Sequence, residues 1–354
     1  FSRQDGDGRV SKIKNLMVRV CSNIEIRKEN ARKVNIRINN NRIVILDTAM
    51  NTDNIGDQII MYFANKIIEP MLEGYDIYRI ASHVYPSEDD IRVMMEAKYV
   101  IVCGTNILSP QMELYSGWKF DKRLIHLDNI VLMGVGWWGY KKPSLYSAYV
   151  YRKILSPKCY QSMRDSQAQR CLKELGINNT INTNCLTLWD LEEDCCNVPI
   201  EKSDTVIFTV TGVFNDIEND QKLISILKQN YEKIFFWPQG KGDREYYTRY
   251  LADDNIVVLG ESLEAVTGFL KNTVTDYIGS RLHGGIYALH FERRVIVIAV
   301  DNRAIEIGKD TNLPVIKMTD ISIQLPEMIN SSWRTTLRLN KDEIKTWKES
   351  LRKA

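Results

Sequence analysis

The sequence predicts an α/β protein built as two doubly wound domains, and three observations carry that prediction. Its 354 residues exceed what one ordinary core organises and suit two domains of about 150 residues each. From Arg42 onward, all-apolar runs of strand length alternate with amphipathic stretches of helix length, the pattern of parallel strands covered by helices. That alternation lapses in the polar passage LEEDCCNVPIEKSD and then restarts, which puts an interdomain linker near 192–204. The domains expected are therefore 43–195 and 203–335, each Rossmann-like, preceded by an extension over 1–42 and followed by a helix over 336–354.

The extension differs from the rest of the chain. It holds eleven Lys and Arg against four Asp and Glu, a local net of +7, so the remainder carries −5 of the overall +2. It ends in the alternating piece VNIRINNNRIVIL, where Asn39-Asn40-Asn41 predicts a turn between two short strands. A basic arm suits an anionic membrane surface or a polyanionic glycan. Basic residues scattered among apolar ones equally suit a solvated face or a packing extension.

In the first domain IVIL reads as a buried strand, TAMNTDNIGD as a polar loop, and 58–72 as a helix with Ile59, Ile60, Phe63, Ile67 and Ile68 on one face. The loop closes on Asn54-Ile55-Gly56-Asp57. Gly56 lets the backbone approach a ligand or turn sharply, and Asp57 suits a helix N-cap, which alone would account for it. The loop has neither the three glycines of a dinucleotide fingerprint nor the lysine of a P-loop, which disfavours both chemistries. A strand over 78–83, a helix after 87–90, the strand YVIVCG and a loop over 105–110 lead to IVLMGVGWWGY. There Gly134, Gly136, Trp137 and Trp138 lie at a sheet edge, where an indole could stack on a sugar ring or simply close the domain. After a helix over 144–154, a short strand at 159–162 delivers Arg164 to a helix start capped by Asp165 or Ser166 and closed by Gly176. Arg164 is then a cation before a helix N-terminus, or half of a pair with Asp165, which a sequence neighbour cannot easily satisfy.

The second domain restarts with TVIFTVTG, a helix over 220–230, IFFWPQG, a helix over 242–252, IVVLG and a helix over 262–272. It culminates in TDYIGSRLHGGIYALHFERRVIVIAV. Here a strand ends at Ser280, the Gly284-Gly285 pair opens an apolar helix over 286–291, and the next strand is 295–300. Arg281 and His283 stand in the intervening loop at the carboxyl edge of the sheet, where open α/β proteins bind ligands. A fixed cation, an imidazole and helix N–H groups describe a site for a phosphate or a carboxylate. Solvation or pairing with a nearby carboxylate is the other reading of such residues. Two such domains facing across a cleft would put residues 54–57 and Arg164 on one wall, with Arg281 and His283 on the other.

Composition narrows the class further. A net charge of +2 gives no global reason to expect nucleic acid, and no apolar run approaches the roughly 20 residues that cross a bilayer. Seven cysteines without a regular framework argue for a reducing, cytoplasmic setting. The Cys195-Cys196 pair has no second pair at zinc spacing and reads as idle thiols, and no His/Asp/Glu cluster has ligand spacing, so no metal is expected. The chain begins at Phe1, which leaves room for a removed targeting segment or an upstream domain.

Three motifs in order, NIGDQ after a first strand, SMRDSQ in mid-chain and DYIGSRLHGGIYAL before a strand, resemble the polysaccharide pyruvyl transferase family over roughly 43–316. The Arg-Leu-His-Gly motif in its strand-loop-helix setting is the most specific of them. The resemblance implies a fold similar to GT-B glycosyltransferases, with an acceptor-side N-terminal and a donor-side C-terminal domain. It implies transfer of the enolpyruvyl part of phosphoenolpyruvate onto two hydroxyls of one sugar, forming a cyclic ketal and releasing phosphate, with no cofactor. The acceptor would be a saccharide of a cell-surface polysaccharide or its lipid-linked precursor, met at the inner face of the membrane. Arg164, Arg281 and His283 match positions implied in donor binding or catalysis. Arg303 falls where relatives more often carry Lys, keeping the charge but changing a compact ammonium to a planar fork. His283 would carry the proton, Arg164 and Arg281 would neutralise the donor, and Asp57 is the candidate base on the acceptor. Asn54, Gly56, Gly284, Gly285 and Trp137 complete the expected binding set. A nucleotide-sugar glycosyltransferase, whose diphosphate the same cations could hold, and a non-catalytic glycan-binding relative remain the alternatives.

Overall fold

The apolar runs form strands and the amphipathic stretches helices in a computed structural model, which describes residues 4–114 and 117–353. Two units divide the chain. One takes the chain up to Asn51, Ile68–Thr183 and the segment from Asp342; the other takes Thr52–Ile67 and Asn184–Lys341.

The first unit opens with α1 (Gln4–Asn30), a 27-residue helix, and β1 (Asn39–Asp47). The chain then enters α2 (Ile55–Met71), whose beginning is counted with the second unit and whose last turn returns to the first. Next come β2 (Asp76–Ala81), α3 (Glu88–Glu96), β3 (Ala97–Cys103), β4 (Ile130–Met133), α4 (Leu145–Ile154), β5 (Gln161–Met163), α5 (Ser166–Glu174) and β6 (Thr180–Asn182). The four-stranded sheet runs β2-β1-β3-β4, all parallel. The β5–β6 pair extends it through a parallel bridge between Val135 and Met163 and a bond from Gly134 N to Ser162 Oγ (2.7 Å). Val44, Val100 and Leu132 are wholly buried, as expected of strands covered on both faces. The asparagine run does not turn. Asn39–Asn41 form the exposed start of β1, with a register shift between Asn39 and Ile43 in its pairing to β3.

The second unit holds β7 (Thr205–Thr209), α6 (Ile217–Asn230), β8 (Lys233–Phe236), α7 (Lys241–Tyr250), β9 (Ile256–Val258), α8 (Leu263–Asn272), β10 (Asp276–Gly279), α9 (Leu282–Leu289), β11 (Val295–Ala299), α10 (Asn302–Thr311), β12 (Val315–Lys317) and α11 (Ile321–Asn330). Its six parallel strands run β12-β11-β10-β7-β8-β9. The winding proceeds outward from β7 to β9 and then resumes at β10 on the other side of β7. The β7–β10 junction is therefore the topological switch point. Gly279 makes that junction tight: a Cβ there would lie 2.3–2.6 Å from Oγ1, O and N of Thr209, distances no side chain tolerates.

Unit boundaries differ from those expected at both ends of the polar passage. The division falls after Thr183, because residues 191–204 are tied to the second unit by backbone bonds. Leu337 N donates to Glu193 O (2.7 Å), Trp333 N to Ile200 O (3.0 Å), and Asp194 bridges Thr336. Two irregular segments satisfying each other need no periodicity, which is why the passage reads as a linker. The final helix, α12 (Lys341–Lys353), returns to the first unit, burying Trp347 completely and receiving a bond from Tyr160 N at Ser350 Oγ (3.3 Å).

Candidate functional site

At the carboxyl ends of β7, β8, β10 and β11 the second unit opens a pocket. Its lining comes from the loops after these strands, including Thr211, Gln239, Ser280, Arg281, His283 and Arg303, and from Asn54 and Gly56 at the start of α2. Ligands of open parallel sheets bind at this position, beside the switch point.

Arg281 stands at the N-cap of α9 and no side chain caps that helix. Its backbone is fixed on both sides: N donates to Thr209 Oγ1 (3.2 Å), and O accepts from the Tyr277 hydroxyl (2.6 Å) and from Gly285 N (3.1 Å). Its guanidinium forks onto Asp243, Nε to Oδ2 at 2.9 Å and Nη2 to Oδ1. Asp243 is itself buried and also accepts from Gly212 N (2.9 Å) and Gln239 N (3.2 Å), so it holds the fork rigidly. Arg303, in the first turn of α10, is held the same way. Asp301 caps that helix by accepting from Arg303 N (2.9 Å) and takes Nε (2.8 Å) and Nη2 (2.6 Å) of the side chain. Each carboxylate offsets charge while aiming its guanidinium, so the pocket presents oriented donors and the α9 terminus more than net charge.

His283 lies in the first turn of α9, buried, with Nε2 3.7 Å from Cys185 Sγ. The helix starts at Leu282, four residues earlier than the sequence suggests, which places the glycine pair inside its first turn. Neither glycine lines the pocket. A Cβ at Gly284 would fall 2.1 Å from Gln239 Nε2, and one at Gly285 would fall 2.9–3.1 Å from Tyr277, Val297 and Val295. Gly284 makes room for the glutamine, and Gly285 lets α9 press on β10 and β11.

Gln239 is the residue that sequence reasoning missed. Its side chain is wholly buried, lines the pocket, and has no hydrogen-bond partner among the described residues for either Oε1 or Nε2. Its backbone is pinned at N by Asp243 and at O by Ile55 N (3.0 Å). Ser280 Oγ, also buried and lining, likewise has no partner. Buried polar atoms are ordinarily satisfied, so three orphans around one pocket point to a polar ligand. The available signal was the polar Pro-Gln-Gly directly after the apolar strand IFFW.

Asn54 and Gly56 belong with this pocket and not with the first unit, as had been expected of them. Asn54, not Asp57, caps α2: its Oδ1 accepts from Gly56 N (3.1 Å), its Nδ2 donates to Asp57 Oδ2 (2.9 Å), and Asp57 is buried in the first turn, outside the pocket lining.

Arg164 lies in the first unit, after β5. It is completely buried, pairs with Asp165 (3.4 Å) despite adjacency, and donates from Nη2 to Asn106 Oδ1 (3.1 Å), while Nη1 has no hydrogen-bond partner among the described residues. Asp165 caps α5 by accepting from Ala168 N (2.7 Å). Gly136 creates the space, since a Cβ there would sit 2.2 Å from Nη2. Trp137 is corrected: it is fully buried against Tyr151, 5.8 Å between rings, and offers no face to a sugar. A strand-edge tryptophan reads alike whether it points outward or into the core. Among the described residues no group of three or more His, Cys, Asp or Glu is placed to hold a metal ion.

Comparison with known proteins agrees with this architecture. A UDP-N-acetylglucosamine 2-epimerase structure from Listeria monocytogenes is 10% identical, covers 89% of this chain and 91% of its own, and superimposes with a TM-score of 0.50. The S. aureus MnaA-UDP co-structure is 11% identical, covers 86% and 94%, and scores 0.48. E. coli heptosyltransferase WaaC with ADP-2-deoxy-2-fluoro heptose is 14% identical over 73% and 88%, at 0.33. At such identity the first of these speaks to the fold alone, an α/β architecture of GT-B type. None of the curated protein sequences compared with the chain matches it. The profile of the polysaccharide pyruvyl transferase family matches residues 54–302, which include the capped start of α2, Arg164, Gln239, Arg281 and His283 and end one residue before Arg303. On that match, over more than half its length, the chain belongs to the polysaccharide pyruvyl transferase family.

Proposed function

We propose that the protein transfers pyruvate from phosphoenolpyruvate to two hydroxyls of one sugar in a polysaccharide or its lipid-linked precursor, and that the donor sits in the switch-point pocket. The observation that carries this reading is the pocket's combination of two carboxylate-aimed guanidiniums, an uncapped helix start and orphaned neutral donors. A carboxylate and a phosphate on one small molecule call for that mixture. The Nη1 sides of Arg281 and Arg303 meet the donor's anionic groups, and the Gln239 amide and Ser280 hydroxyl complete their hydrogen bonding. Arg164 lies in the first unit, and the role in donor binding or catalysis that the family pattern implies for it is not assigned to this pocket. Its unpartnered Nη1 supports an anion in its own surroundings.

The chemistry balances without a cofactor. A proton reaches the methylene carbon, which makes C2 electrophilic. One sugar hydroxyl adds there, the C2–O bond to phosphate breaks, and the second hydroxyl closes the ketal. The two hydroxyl protons replace the one spent on carbon and the one carried off by phosphate. His283 is the proton carrier, since an imidazole exchanges protons near neutrality. Asp57 bonds to Asn54, so activation of the acceptor by Asp57 requires that bond to open.

The test is phosphate release from phosphoenolpyruvate with a panel of free and lipid-linked β-galactosides and hexosamines. Acceptor-dependent release that disappears in Arg281→Ala and in His283→Ala is the expected result. Silence with every acceptor, together with thermal stabilisation by a nucleotide and none by phosphoenolpyruvate, would overturn it in favour of a nucleotide-sugar transferase.

A further inference from the structure

The N-terminal helix presents an apolar face that the reaction does not use. Ile13, Leu16, Met17, Val20 and Ile24 are each 48–63% exposed. At 100° per residue they fall within an arc of about 100°, a continuous stripe along about three turns. The helix packs through its other side, where Ile26 and Glu29 are buried and Glu29 faces His126 (3.7 Å). Near the C-terminal half, a groove of about 620 Å³ between α1 and the start of α4 continues the stripe, lined by Val20, Ile24, Pro143 and the highly exposed Leu145.

Charge identifies what this face meets. On the same wheel Lys12 lies just outside one edge of the stripe, Lys14 and Lys28 outside the other, and Arg27 at its C-terminal end. Residues 12–28 carry five basic side chains, of which Arg19 pairs with Glu113 in the groove (3.6 Å), against the single acid Glu25, which Lys122 engages at 3.3 Å. A solvated basic face needs no apolar stripe, and neither does a polyanionic glycan. A second copy laid along the stripe would bring like charges together along both flanks. An apolar stripe bordered by lysines is the pattern of a helix lying in the plane of an anionic bilayer, with the lysine stems extending along the acyl boundary to the headgroups.

We propose that the outward face of α1, extended by Leu145, seats the protein on an anionic lipid surface. The inference stands apart from the reaction, because it uses none of the pocket residues. It is tested by co-sedimentation of the full chain with vesicles of phosphatidylglycerol and phosphatidylcholine in equal parts, beside vesicles of phosphatidylcholine alone and immobilised heparin. Binding to the anionic vesicles, weakened by salt, is expected. Each of Lys12→Glu, Lys14→Glu and Lys28→Glu should lower partitioning about fivefold or more. Leu16→Ser combined with Val20→Ser should lower it further while leaving heparin retention and the thermal transition unchanged, since both side chains are exposed. No binding to anionic vesicles, equal binding to neutral ones, or indifference to the double substitution would overturn the proposal. So would a dimer in sedimentation equilibrium that the double substitution dissociates, which would give the face to a second copy.

Discussion

Replacing Gln239 with leucine should make the protein more stable and less able to bind its donor. In the ligand-free protein the side chain buries an amide whose Oε1 and Nε2 both have no partner. An unsatisfied buried polar group costs about 1–3 kcal/mol. The amide borders the pocket, so water there relieves part of the cost. The net gain from Gln239→Leu is then about 1–2 kcal/mol, with the backbone left in place by Asp243 and Ile55. In a unit of this size that corresponds to a rise of roughly 2–8 °C in Tm. Donor binding should move the other way. A hydrogen bond to a charged group contributes about 1.5–3 kcal/mol, so affinity for phosphoenolpyruvate should fall between about tenfold and 150-fold. Differential scanning fluorimetry without ligand and calorimetric titration with phosphoenolpyruvate read the two effects separately. Unchanged affinity would refute the placement of the amide against the donor. A fall in the ligand-free Tm would show that the amide is satisfied inside the fold.

Three further outcomes follow from the same geometry. Asp243→Ala removes the partner of Arg281 and the acceptor for Gly212 N and Gln239 N, so unfolding in urea should show a loss of about 3–5 kcal/mol alongside lost turnover. Gly279→Ala sets a methyl against backbone atoms of Thr209, which cannot swing aside as a side chain would; a loss of about 1–3 kcal/mol is expected, and an unchanged Tm would contradict the β7–β10 spacing. Burial pushes the Asp220 carboxyl up to about 6, against the bond it accepts from the Tyr246 hydroxyl (2.7 Å). The folded state therefore holds this proton more tightly than the unfolded chain does. The contribution is full below pH 3.8 and is lost as pH rises to about 6, so Asp220→Asn should flatten that part of the stability profile relative to the parent by up to about 3 kcal/mol.

Much of this molecule is legible in its sequence. Buried parallel strands announce themselves as runs such as IVIL, YVIVC and VIVIA, and the cap at Asp165 follows from a side chain that bonds its own backbone. Arg281 and His283 were found because a strand-loop-helix unit must place its loop at the carboxyl edge, and Arg303 through the family resemblance. Trp137 and Asp57 were not resolved, because one-dimensional spacing does not say which way a side chain points. The polar passage after Trp189 misled for a related reason: its backbone partners lie more than 130 residues away, at Trp333 and Leu337.

The sequence by itself determined the fold class, the two parallel windings and the meeting of a cation, an imidazole and a helix start after Ser280, since each depends on local pattern and on residue chemistry. Only the tertiary structure decided which loops share a pocket. Strand order is set by which apolar faces pack together, and it is the return of β10 to the far side of β7 that brings Gln239, Arg281 and Arg303 around one opening. The same holds for the division of the chain. Long-range backbone hydrogen bonds, which no local pattern encodes, tie residues 52–67 and the polar passage to the second unit, and the burial of Trp347 joins α12 to the first.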